Sequence, residues 1–97
     1  MANYFVYILH CQNNSLYTGY TTNLQRRYEA HLAGKCKYTR SFKPLGIAHS
    51  WSVEGEKADA LRLERYIKSL SRTKKEALLR TPETLGKCFP GIEINSI

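Results

Sequence analysis

The sequence predicts an α+β fold: a small three-stranded antiparallel sheet flanked by helices, in the order ββαβαα. Two short runs of β-branched and aromatic residues face each other across a polar cluster near the start. A third alternating run lies mid-chain, and apolar residues at helical spacing fill the segments between and after the strands. With 97 residues the chain has room for one modest core and one domain. That domain is expected to span 1–82, followed by a C-terminal tail over 83–97.

The first strand covers 4–11, where alternation puts Phe5, Tyr7 and Leu9 on one face and Val6 and Ile8 on the other. Gln12, Asn13, Asn14 and Ser15 are turn material, and a second strand over 16–20 completes a hairpin. Thr21 or Thr22 can cap a helix over 23–33, whose apolar positions Leu24, Tyr28, His31 and Leu32 follow helical spacing and which Gly34 is placed to end. The stretch 35–44 is basic and turn-rich. Alternation over 46–53 predicts the third strand, closed by Gly55. From 56 to 70 runs the longest helical pattern, with Ala60, Leu63, Ile67 and Leu70 in an apolar stripe and Arg62, Arg65 and Lys68 turned away from it. Thr73 and Glu76 frame a capping box that starts a short helix, ended by Thr81 and Pro82. The last stretch, 83–97, has no strong period and is expected to be extended or partly ordered.

Lys and Arg number 15 against 8 Asp and Glu, a formal charge of +7 with a pI near 9.5. Such a balance points to a polyanionic partner, and nucleic acid is the commonest one. The cations are spread along the chain, so they predict a folded positive face, with or without a polyanion to meet it. Cys11, Cys36 and Cys88 are far apart and lack a Cys-x-x-Cys spacing, which predicts free thiols. No basic segment leads into an apolar one at the start, and the longest apolar run is far short of a bilayer span. A cytoplasmic protein without membrane contact is expected.

Tyr7, Tyr17, Arg27 and His31 carry the groups that matter chemically. Pairing across the turn brings Tyr7 and Tyr17 together as direct or diagonal neighbours, an arrangement that packing alone also favours. Gly19 weakens its strand and marks a place where another backbone or a ligand comes close. Arg27 and His31, at i and i+4, both lie within roughly 60° of Leu24 and border the buried face of their helix. Phenol, guanidinium and imidazole can serve phosphodiester chemistry as proton acceptor, charge stabiliser and proton shuttle. Glu64 sits roughly 70° from the centre of its helix's apolar stripe. It can pair with Lys68 at i+4, or it can offer Mg²⁺ a hard oxygen ligand. Lys35, Lys37, Arg40 and Lys43 interleave with Tyr38 and Phe42. They form either a solvated basic loop or a substrate-contacting arm, with cations on phosphates and a ring on an unpaired base.

Together these residues resemble the GIY-YIG nuclease family, and in particular its short stand-alone bacterial members. Phe5-Val6-Tyr7 matches the first motif, with Phe5 in place of the family's opening glycine, and Tyr17-Thr18-Gly19 matches the second. Asn23-Leu24, Arg27 and His31 follow at family spacing, and the run from Leu63 and Glu64 to Glu76 also agrees, so the likeness covers roughly 4–80.

The resemblance implies a DNA endonuclease with one Mg²⁺ or Mn²⁺ ion, acting on branched, flapped or damaged DNA in repair or recombination. Tyr17 would be the general base, with Tyr7 positioning the water or sharing its proton. Arg27 would stabilise phosphoryl charge and His31 orient or relay protons. Glu64 would hold the metal, and Gly19 would let the strand approach the scissile phosphate. DNA is favoured over RNA, and a monomer or weak dimer is expected, with a protein partner available to recruit substrate. A basic nucleic-acid-binding module that keeps the fold with little turnover is the alternative.

Overall fold

Strand β1 (Ala2–Cys11) is the centre of the molecule because both of its faces are apolar. The computed structural model describes residues 2–97. Val6 and Ile8 look toward one layer of helices, while Tyr7, Leu9 and Cys11 look toward another, and all five are buried. A strand covered on both sides needs neighbours on both edges as well, since each unpaired backbone group would be stranded away from water. Strand β2 (Leu16–Thr21) takes one edge and strand β3 (Pro44–Gly55) the other, both antiparallel to β1.

The α+β class holds, but the sheet has four strands, in the order β2-β1-β3-β4, where β4 is Glu93–Ser96. The fourth comes from 83–97, the stretch read above as an extended or partly ordered tail. It forms helix α5 (Thr84–Cys88) and strand β4. Leu85 is fully buried in the main core, and β4 runs antiparallel along β3, from Trp51 opposite Ser96 to Glu54 opposite Glu93. A four-residue edge strand is too short to show a period in sequence.

Helix α1 (Leu24–Leu32) follows the hairpin and lies on the Tyr7 face, where Leu24 and Tyr28 pack on Tyr7, Leu9 and Cys11. Its cap is Asn23 rather than Thr21 or Thr22: the Asn23 side chain accepts from the Arg26 amide at 3.0 Å, while Thr21 Oγ1 accepts from the Asn23 amide. Gly34 has φ +75, the left-handed conformation that suits a glycine past a helix end. Part of the stretch read as turn-rich is a short helix, α2 (Lys37–Ser41).

Helix α3 (Lys57–Ser69) covers the opposite face with the expected stripe of Ala60, Leu63 and Ile67, packed on Val6, Ile8, Trp51 and Val53. Helices α4 (Arg72–Arg80) and α5 (Thr84–Cys88) close this layer with Leu78 and Leu85, and strand β4 (Glu93–Ser96) completes the sheet. Helix α4 is capped by the hydroxyl of Ser71, which accepts from the Lys74 amide, so the cap lies two residues before the expected Thr73. Among the described residues no helix is long and apolar enough to cross a membrane.

Candidate active site

Strand register places the two tyrosines. Tyr7 stands opposite Gly19 and Leu9 opposite Tyr17, so Tyr7 and Tyr17 are diagonal neighbours on one face, with ring centroids 6.5 Å apart. Gly19 is what admits the Tyr7 ring: a Cβ at position 19 would lie 2.5 Å from the Tyr7 hydroxyl. The close approach expected at this glycine is thus made by a side chain of the protein itself.

Helix α1 supplies the other two groups. Arg27 Nε donates to the Tyr7 hydroxyl at 3.4 Å, and that hydroxyl lies 2.9 Å from His31 Nε2. His31 Nδ1 in turn is 2.7 Å from Thr39 Oγ1 on α2. Since the phenol oxygen already accepts from Arg27, its own proton goes to His31 Nε2. His31 is then the Nδ1–H tautomer and donates to Thr39. Tyr7, His31 and Thr39 are all buried, so each polar atom in the chain depends on its neighbour.

Burial sets the protonation states. It pushes the Tyr7 phenol up to about 12, against the opposing pull of the Arg27 hydrogen bond, so Tyr7 is a neutral donor at pH 7. Burial, reinforced by the Arg27 charge, lowers His31 to about 4 and keeps the imidazole neutral. The hydrogen bond to Tyr7 raises Arg27 further above its ordinary value.

A stability consequence follows for His31, whose folded value lies below the 6.5 of a free imidazole. Its contribution is complete above pH 6.5 and is lost as pH falls toward 4, where only the unfolded chain takes the proton. We expect urea unfolding to show a loss on the order of 2–3 kcal/mol from this group across that window. His31→Gln should flatten the slope by a matching amount; an unchanged slope would refute the assignment.

Tyr17 is placed differently. Its hydroxyl has no partner among the described residues, its ring meets the His31 edge at 5.1 Å, and it stacks on Tyr38 at 5.3 Å with a 24° interplanar angle. It lines a cavity of about 660 Å³ with Arg27, Lys35, Cys36, Lys37, Tyr38, Ser41 and Phe42. Of the predicted basic arm, then, Lys35, Lys37 and Tyr38 share a wall with Tyr17 and Arg27. Arg40 and Lys43 do not line it, and Arg40 Nε donates to the Gly34 carbonyl at 3.2 Å.

Glu64 stands apart from this chain of hydrogen bonds. Its side chain is 13% exposed on α3 and pairs with Lys68 at 3.6 Å, as the i+4 spacing allows. Among the described residues no three His, Cys, Asp or Glu side chains gather to hold a metal ion.

Comparison with known families matches residues 3–77 to the GIY-YIG catalytic domain. The chain belongs to the GIY-YIG family. Its GIY-YIG relatives include a UPF0213 protein of Natronomonas pharaonis, 47% identical over 79 residues that cover 80% of this chain and 92% of the relative. Another, a UPF0213 protein of Halalkalibacterium halodurans, is 46% identical over 78 residues, 79% of this chain and 82% of that one. The solution NMR structure of a UPF0213 protein from Bacillus halodurans superposes with a TM-score of 0.55 at 44% identity, covering 81% of this chain and 84% of the other. The matched domain is the catalytic domain of a nuclease family, in agreement with the family expected from the motifs.

Thr39 is the residue of this candidate site that sequence reasoning missed. It sits in the basic arm between Tyr38 and Arg40, where a hydroxyl draws no notice. Its complete burial in an otherwise exposed five-residue helix ties the arm to His31.

Proposed function

We propose that this protein is a metal-dependent endonuclease that hydrolyses DNA phosphodiesters, acting on branched, flapped or damaged DNA in repair or recombination. The observation that carries the reading is the convergence of Arg27, Tyr7 and His31 in one hydrogen-bonded chain beside Tyr17, with Arg27 and Tyr17 lining the same cavity as Lys35 and Lys37. The +7 charge favours a polyanionic substrate.

Tyr17 is the general base in this reading: it lines the cavity beside Arg27, and its hydroxyl makes no hydrogen bond among the described residues. Arg27, Lys35 and Lys37 line the same space, where they can hold a phosphate beside it. Tyr7 is held as a neutral donor whose proton points at His31, so it positions the reacting groups. Neutral His31 accepts that hydrogen bond at Nε2 and holds the Tyr7 hydroxyl in place, which gives it the orienting role. Arg27 is set to stabilise charge that grows on the phosphoryl oxygens.

Glu64 would hold the metal. Mg²⁺ takes one or two carboxylates, several waters and substrate phosphate, and a single part-buried carboxylate at a helix edge meets that need. When bound, the ion supplies Lewis-acid stabilisation of phosphoryl and leaving oxygens, which lessens the call for a second carboxylate.

The test is a cleavage assay over branched, flapped, single-stranded and duplex DNA with Mg²⁺, Mn²⁺ or EDTA. Metal-dependent cutting of the branched and flapped substrates is expected, with Glu64→Gln moving the half-maximal metal concentration upward. Binding of DNA without cutting in any metal would overturn the nuclease reading in favour of a binding module.

A further inference from the structure

Tyr17, Tyr38 and Phe42 form an aromatic row along the cavity. Tyr38 stacks on Tyr17, and Phe42 follows at 5.9 Å with its ring tilted by 48°. Tyr38, in the middle of the row, and Phe42, at its far end, are both exposed, at 41% and 39%. Hydrolysis of a phosphodiester has no use for an aromatic face. Large rings left in water beside Lys35 and Lys37 are, however, the two components of a single-strand binding surface: π-faces for bases and cations for the backbone.

Two details give the row direction. The Tyr38 hydroxyl donates to Ser15 Oγ at 2.8 Å, so the hairpin turn holds that ring in place and little rotamer freedom is lost on binding. The row also begins at Tyr17, which puts anything stacked on it next to the reacting centre. Paired bases in a duplex keep their faces inside the stack, so only an unpaired or extruded base can use these rings.

We propose that the cavity takes one unpaired nucleobase of the cleaved strand, stacked against Tyr38 and Phe42, with adjacent phosphates on Lys35 and Lys37. Its position beside the scissile bond rests on the nuclease reading; the stacking itself needs no turnover. The substrate is thereby one whose strand is single-stranded, or carries an extrahelical base, at the point of cleavage.

The experiment uses the full chain in EDTA, so that no cleavage occurs. The probe is an oligonucleotide carrying 2-aminopurine, either single-stranded or fully paired. Quenching on binding is expected for the single strand and not for the duplex. Tyr38→Leu and Phe42→Leu should each weaken single-strand binding roughly tenfold, while Tyr38→Trp restores it. Lys35→Ala should weaken binding and reduce its salt dependence.

Leucine variants that keep wild-type affinity with an unchanged circular dichroism spectrum would overturn the proposal. So would wild-type protein that binds an abasic site at the probe position as tightly as a base, a comparison that stands even where a leucine variant fails to fold. Absence of single-strand binding at low salt would also overturn it. Stacking in EDTA without cutting in Mg²⁺ would remove the nuclease reading and leave the base site standing. Cutting without stacking would do the reverse.

Discussion

Tyr17→Phe is expected to lower the cleavage rate by roughly a hundredfold to ten-thousandfold, and Arg27→Ala by a loss in the same range. The two substitutions should differ in stability. Phenylalanine at 17 keeps the stack on Tyr38 and the edge contact with His31, and removes only a hydroxyl that has no partner. Its unfolding midpoint should match wild type. Arg27→Ala removes a donor to the buried Tyr7 hydroxyl, and about 1 kcal/mol of stability should go with it. Tyr7→Phe is the informative contrast, because it strips a buried partner from His31 and from Arg27 at once, costing about 1–3 kcal/mol. Single-turnover rates on a flapped substrate, set beside chemical denaturation, separate these effects. A Tyr17→Phe protein that cuts at the wild-type rate would remove Tyr17 from the role of base.

The positions of these residues are readable from sequence to the extent that they follow local rules. Alternation in β1 and β2 puts Tyr7, Tyr17 and Gly19 on one face, and an i to i+4 step puts Arg27 above His31. Neither inference needs knowledge of the rest of the fold. Thr39 is of another kind. Nothing in Lys37-Tyr38-Thr39-Arg40-Ser41 has an apolar period, and the hydroxyl is buried only because His31, eight residues earlier, turns its Nδ1 toward it. Strand β4 is hidden for a similar reason, since its pairing with β3 spans some forty residues of chain and Leu85 becomes core only once α5 docks. The spacing of Glu64 anticipates its pair with Lys68.

Gly19→Ala is expected to cost about 1–3 kcal/mol of stability and to abolish cleavage, although it adds a single methyl group. Two effects of opposite sign compete. Alanine restricts the unfolded chain and would stabilise the fold by about 0.4–1 kcal/mol wherever the backbone accepts it. The backbone here does accept it, because the positive φ values among the described glycines belong to Gly34 and Gly55. Steric overlap decides the outcome instead: the new Cβ would lie 2.5 Å from the Tyr7 hydroxyl and 2.7 Å from its Cζ. The ring has nowhere to retreat, being 1% exposed and tied to both His31 and Arg27. Displacing it breaks the hydrogen bonds that hold the imidazole and the guanidinium in place, so a small packing change becomes a large loss of rate. A double-mutant cycle with Tyr7→Leu checks the cause. Removal of the phenol relieves the overlap, so the pair should be less destabilised than the sum of the single changes, by an interaction of about 0.5–3 kcal/mol. Strict additivity would mean that the glycine serves the strand and not the tyrosine.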